Sequence, residues 1–160
     1  MKRPLRLGLL AALVVFALDQ LSKYWILYVF RLPERGSVAI MPGLNFTMVW
    51  NHAVTFGMLG GVGASGVIVF SVIALAIVGG LILWMTRTTS PLTGLAAGAI
   101  AGGAVGNVLD RVRYGAVVDF IHAHAFGWSW YVFNVADSAI VCSVILLLLL
   151  ELRSSRRREA

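Results

Sequence analysis

The chain has 160 residues, of which 59% are hydrophobic and only 12% charged, about half the ~25% charged fraction of an ordinary soluble domain. So few polar groups cannot cover a water-facing surface, which excludes a soluble enzyme, a disordered tail and a coiled coil and leaves an integral membrane protein. The net charge of +6 invites a nucleic-acid partner, but no basic helix or aromatic-interleaved groove accompanies it, and no nucleic acid is expected.

The first apolar run covers residues 7–30. Its basic start (Lys2, Arg3, Arg6) followed by Leu9–Leu18 has the form of a signal peptide, yet the apolar run resumes at Tyr24 with no small-residue cleavage site, so a retained anchor is expected. From Gly36 to Thr86 there is no Asp, Glu, Lys or Arg. Within that stretch Leu44, Phe46, Met48 and Trp50 alternate with Asn45, Thr47, Val49 and Asn51, the pattern of a short strand with one apolar face. A second span follows over 64–86. After Arg87 and Pro91, a third span runs over 92–109, with Gly94, Gly98, Gly102 and Gly106 at four-residue intervals. That spacing lines one helix face and lets a neighbouring helix approach closely, within this chain or from a second copy. Residues 110–131 are too polar or glycine-broken to span. The aromatic cluster Trp128, Trp130, Tyr131 and Phe133 suits the headgroup level and leads into a fourth span over 135–152. Each span has the roughly 17–25 residues a bilayer crossing needs. With no internal repeat or linker, residues 1–160 read as one all-α membrane domain, a four-helix bundle.

Eight of the 13 basic residues (Lys2, Arg3, Arg6, Arg87, Arg153, Arg156, Arg157 and Arg158) fall on one side of these spans. The positive-inside rule then predicts both termini in the cytoplasm, with 31–63 and 110–131 outside.

The informative residues are polar groups in apolar segments, since each costs roughly 2.5–3.5 kcal/mol at mid-bilayer and so suggests function. All four aspartates are among them. Asp19 and Lys23 share a helix face and can pair, either to neutralise the span or for function. Asp110, with Asn107 and Arg111, reads as a loop ion pair with Arg111 at the end of span three. Asn134 and Asp137 open span four, where the helix dipole favours a negative charge. Asp119 lies among Val117, Val118, Phe120 and Ile121 with no basic residue near it in sequence, and poor solvation there raises a carboxyl pKa. Two aspartates that approach closely share a proton, so one serves as acid and the other as base in hydrolysis. Asp110, Asp119 and Asp137 are the candidates; Asp119 as acid and Asp137 as base fit best. His122 and His124 on an exposed loop, with His52, make no metal set. The single cysteine, Cys142, excludes an intrachain disulfide and is expected to be buried packing in span four. A transporter with proton-carrying carboxylates and a structural subunit held by its glycine face remain as other classes.

Five segments resemble the bacterial lipoprotein signal peptidases (signal peptidase II): Asp19-Gln20-Leu21-Ser22-Lys23, Asn51 leading to Phe56-Gly57, Gly102–Arg111, Val117–Ile121, and Phe133–Ser138. They occur in the family's order over essentially the whole chain. The family usually carries Asn-x-Gly-Ala-Ala-Phe where this chain has Asn51-His52-Ala53-Val54-Thr55-Phe56. The resemblance implies four transmembrane helices with a small extracytoplasmic β-sheet, in the cytoplasmic membrane with the active site at its outer interface. It implies an aspartic endopeptidase without metal or cofactor, working as a monomer and blocked by globomycin. Such an enzyme cleaves prolipoproteins on the amino side of a diacylglyceryl-modified cysteine. The catalytic pair maps to Asp119 and Asp137, and the supporting positions to Asp19, Lys23, Asn51, Gly57, Asn107, Asp110, Arg111, Asn134 and Ala136.

Overall fold

The structure is a computed structural model that describes residues 2–52 and 63–159. Gly57 and the departure at 53–56 lie outside the described residues. Helix α1 (Arg3–Tyr24) continues through a π-helical turn (Trp25–Val29) into the short helix α2 (Leu32–Arg35). Strands β1 (Ser37–Met41) and β2 (Leu44–Asn51) follow, then α3 (Gly63–Arg87) and α4 (Pro91–Tyr114). Strands β3 (Val117–Ala125) and β4 (Trp128–Ser129) lead into α5 (Val135–Glu159). Four of the helices are long and apolar enough to cross a membrane, over 3–29, 66–87, 91–114 and 135–155. Their outward side chains are large and apolar, as a lipid-facing surface requires.

Helix α4 is the central post, because α1, α3 and α5 all pack on it. Its glycine stripe explains why. A Cβ on Gly94, Gly98 or Gly102 would run into the backbone of Pro4, Gly8 or Ala12, respectively, so α1 and α4 lie in parallel with their backbones nearly touching. The stripe therefore packs helices of one chain. Ser90 starts α4 by accepting a hydrogen bond from the Thr93 N–H at 3.2 Å, with Pro91 in the first turn, and Gly115 ends it in the left-handed region at φ 70°.

The strands form one antiparallel sheet in the order β1-β2-β3-β4. The alternating apolar face of β2 is real, and Phe46 packs against Phe30 and Phe120 at ring separations of 5.8 and 5.9 Å. With Ile26, Leu32 and Val118 these rings tie the sheet to the end of α1. Three expectations change here. Helix α4 extends to Tyr114, so Asp110 and Arg111 lie on a helix and not in a loop. His122 and His124 lie on β3, hydrogen-bonded to Thr47, Ser129 and Asn45. The β3–β4 turn projects Phe126 and Trp128 fully outward, beside exposed Trp130 and Tyr131. Cys142 is exposed on the lipid-facing side of α5 and not buried, whereas its neighbour Ser143 turns inward.

Candidate active site

At the sheet end of the bundle, α1, α4, β2, β3 and α5 bring together every predicted site residue that the structure describes. The local reason begins at α5. Asn134 precedes its first turn and Asp137 lies three residues on, the spacing of a reciprocal cap. The Asn134 side-chain oxygen accepts from the Asp137 N–H at 2.9 Å, while the Asn134 N–H donates to Asp137 Oδ2 at 3.3 Å. The cap fixes the Asp137 carboxylate at the helix start. The other carboxylate oxygen, Oδ1, accepts from the Asn107 amide on α4 at 2.9 Å.

Asp119 comes from β3. Val49 of β2 lies opposite it and Asn51 opposite Val117, so Asn51 is its diagonal neighbour. The Asn51 amide donates to Asp119 Oδ2 at 2.9 Å, and the Asn134 amide donates to Asp119 Oδ1 at 2.6 Å. Asn134 thus holds both aspartates at once, one through its side chain and the other through its backbone and cap. Burial pushes the Asp119 carboxyl up to about 6. The nearby charge of Asp137 pushes the same way, against the Asn51 and Asn134 donors and Lys23. A cleft of about 720 Å³ opens beside Asp119, between Trp50, Asn51 and His52 on one side and Trp130 and Tyr131 on the other.

Behind the two carboxylates lies a buried ionic support. Lys23 Nζ contacts Asp19 Oδ2 at 2.8 Å and Asp110 Oδ2 at 2.7 Å, and donates to Asn107 Oδ1 at 3.0 Å. The Asp19–Lys23 pair is as expected for an i,i+4 spacing, but the expected Asp110–Arg111 pair is replaced. Asp110 faces Lys23, and Arg111 instead donates to the Asn107 backbone carbonyl at 3.3 Å. The helical path explains this: residues adjacent in a helix point about 100° apart, so Asp110 turns to Lys23 while Arg111 points to a different side, half-buried with its Nε enclosed. Each support carboxylate also takes a backbone N–H that its own element leaves unpaired. Asp19 Oδ1 accepts from Ala136 in the first turn of α5 at 3.0 Å, and Asp110 Oδ2 accepts from Val118 at 3.1 Å. Ala136 therefore belongs to the site through its backbone. Gly106 leaves the space Asp19 occupies, since a Cβ there would meet Asp19 Oδ2 at 2.5 Å.

One residue of this network was missing from the sequence-derived set. Gln20 donates to Asp19 and Asp110, each at 3.1 Å, and to the Gly106 carbonyl at 3.3 Å. An amide inside an apolar span next to Asp19 was the available signal.

Fold and site together define a multi-span membrane protein whose carboxylates gather at one rim of its bundle. The family described as Signal peptidase (SPase) II matches residues 11–153. The lipoprotein signal peptidase of Methylorubrum extorquens strain PA1 is 46% identical over 152 residues, covering 95% of this chain and 89% of its own. That of Rhodopseudomonas palustris strain ATCC BAA-98 is 43% identical over 149 residues, covering 91% of each. A solved bacterial membrane enzyme, obtained by the in meso method at 1.9 Å, superposes with a TM-score of 0.79 at 32% identity, covering 91% of this chain and 92% of its own. The chain belongs to the signal peptidase II family. Signal peptidase II removes the signal peptides of prolipoproteins, and this chain is a membrane peptidase of that family.

Proposed function

We propose that the chain cleaves prolipoproteins on the amino side of a diacylglyceryl-modified cysteine, with Asp119 and Asp137 as its catalytic pair. The observation that carries this reading is the double hold of Asn134, which bonds both aspartates at once at the edge of the cleft that Asp119 lines. Asp137, as carboxylate, takes a proton from a water whose oxygen attacks the scissile carbonyl. Protonated Asp119 gives its proton to the carbonyl oxygen, forming a neutral tetrahedral diol. On collapse the proton on Asp137 passes to the amide nitrogen, Asp119 recovers a hydroxyl proton, and the C–N bond breaks. The products are the signal peptide's new carboxyl end and the lipid-modified cysteine with a free amine. Both aspartates return to their starting states, and no cofactor or metal is needed.

Lys23, Asp19, Asp110, Asn107 and Arg111 are positioning residues in this scheme, as is Asn51 through its bond to Asp119, and Gly57 is a further supporting or substrate-binding position. The diacylglyceryl chains gain roughly 0.8 kcal/mol per CH₂ from the bilayer, so the substrate stays in the membrane and the site must meet it at the rim. Both termini are cytoplasmic in this reading, the rim faces outward in the cytoplasmic membrane, lipid surrounds the bundle, and the monomer is the working unit.

Incubating the purified protein with a diacylglyceryl-modified prolipoprotein should yield a shortened product, and globomycin should block it. An uncleaved substrate would overturn the proposal. Topology is tested in a Cys142→Ala background with separate Arg158→Cys and Arg35→Cys probes. An impermeant thiol reagent applied to intact cells should label the second probe and not the first; the reverse would overturn the orientation.

A further inference from the structure

Helices α3 and α5 both pack on α4 but scarcely on each other, and between them at the terminus-bearing end lies a groove of about 600 Å³. Trp84 of α3, Thr93 of α4, and Val144, Leu148 and Glu151 of α5 line it. Its wall on α5 is continuous with the active site. Val144, Leu148 and Glu151 lie 7, 11 and 14 residues after Asp137, so all share one face of the helix. Val141, Val144 and Leu148 on that face are 56%, 41% and 60% exposed, an apolar stripe left partly open by the described residues. The α4 wall matches it. Thr93 lies 14 residues before Asn107, the residue that donates to Asp137. On both walls the two ends of the stripe are therefore about 21 Å apart at 1.5 Å per residue.

The lower end of this stripe carries a carboxylate at an end of the bundle where basic residues predominate. Arg153 lies two residues after it, Arg87 closes α3, and Lys2, Arg3 and Arg6 lie at the start of α1 at the same end. Among the described residues Glu151 makes no ion pair, and its side chain is exposed at the groove. A signal peptide has the complementary form: a positively charged n-region followed by 7–15 apolar residues and then the cleavage site. About 21 Å of helix accommodates ~14 residues, which matches that apolar stretch. With the scissile bond at Asp137, the basic n-region then falls at Glu151.

We propose that Glu151 receives the basic n-region of the signal peptide and makes the enzyme selective for charge about 21 Å from the bond it cuts. The proposal rests on the reading of the chain as a prolipoprotein signal peptidase with cytoplasmic termini. Glu151 acts on substrate binding and takes no part in the chemistry.

The test uses the full chain in phosphatidylcholine vesicles, where no anionic lipid competes for the n-region. Two diacylglyceryl-modified prolipoproteins are compared, identical except that one has its n-region Lys and Arg residues replaced by Gln. Glu151→Gln should raise KM for the basic substrate about three-fold, the size expected of an ion pair at a solvent edge. Glu151→Lys, which adds repulsion, should raise it about ten-fold, and Glu151→Asp should restore most of the preference. In each case kcat is unchanged, cleavage of the neutral substrate is unaffected, and added salt erodes the difference. Equal changes for both substrates would assign Glu151 a structural role and overturn the proposal, as would no change for either. If the unmutated protein cleaves both substrates without preference, Glu151 loses its assignment and the peptidase reading stands. If it cleaves neither, the peptidase reading fails and takes the proposal with it.

Discussion

Helices α1 and α4 are held together in two different ways along one interface. At the terminus-bearing end the contact is made by absence: Gly94, Gly98 and Gly102 have no side chains, and the backbone of Pro4, Gly8 and Ala12 fills the space. At the sheet end the same two helices meet through Asp19, Lys23, Asn107 and Asp110, buried and bonded to one another. Gly106 marks the changeover, because the room left by its missing side chain holds the Asp19 carboxylate. The first half is packed by shape and would serve any bundle. The second half buries three charges, which well-packed apolar residues would often replace without loss of stability. Such groups are expensive in a membrane and mark function, and here they support the N-terminus of α5 and the start of β3, the two elements that carry Asp137 and Asp119.

The largest effect should come from the pair that this support holds. Asp119→Asn and Asp137→Asn should each lower cleavage by about 10²–10⁴-fold, measured on folded protein, with globomycin binding largely retained. The double variant should be no worse than either single one, because both groups act in one step. Near-normal cleavage by folded Asp119→Asn would remove it from the site and return Asp110 as a candidate.

Next in size is the support itself. Lys23→Met strands two buried carboxylates and should cost about 3–5 kcal/mol, read as lost folded yield or a lower Tm in detergent. Adding Asp19→Asn and Asp110→Asn to it should recover much of that stability without recovering activity. Recovery of both would show that the charges serve stability alone.

At the other end, Gly98→Leu or Gly102→Leu should separate α1 from α4 and cost about 1–3 kcal/mol or more, lowering folded yield before specific activity. A well-folded, abundant variant with no activity would instead connect the glycine seam directly to the site.

The two halves were also unequally legible in the sequence. The glycine seam could be read from one helix, because a four-residue period states its own face; its partners Pro4, Gly8 and Ala12 carry no such signal. The four spans followed from apolar length alone, and β2 from its alternation. Strand β3 did not show itself, because Val117, Val118, Asp119 and Phe120 are all buried and a strand buried on both faces does not alternate. In the site, the Asp19–Lys23 pair is local and follows from helix geometry. The Asp110–Lys23 contact joins residues 87 positions apart, and the adjacent arginine drew the sequence reading to the wrong partner. Cys142 failed for a different reason: in a membrane protein the apolar face looks outward, so an apolar neighbourhood does not imply burial in protein.

At the centre of the mechanism, burial and the neighbouring charge of Asp137 keep a proton on Asp119 well above the ordinary carboxyl range. Isotope-edited infrared spectroscopy of Asp-labelled protein observes this directly, with Asp119→Asn assigning the protonated carboxyl band. This band should persist well above the ordinary carboxyl range and disappear with a midpoint at about 6, as burial and then the charge of Asp137 require. In Asp137→Asn the midpoint should fall, since one of the two raising influences is gone. A midpoint near the usual 3.8, unmoved by Asp137→Asn, would show that neither burial nor Asp137 holds the proton on Asp119.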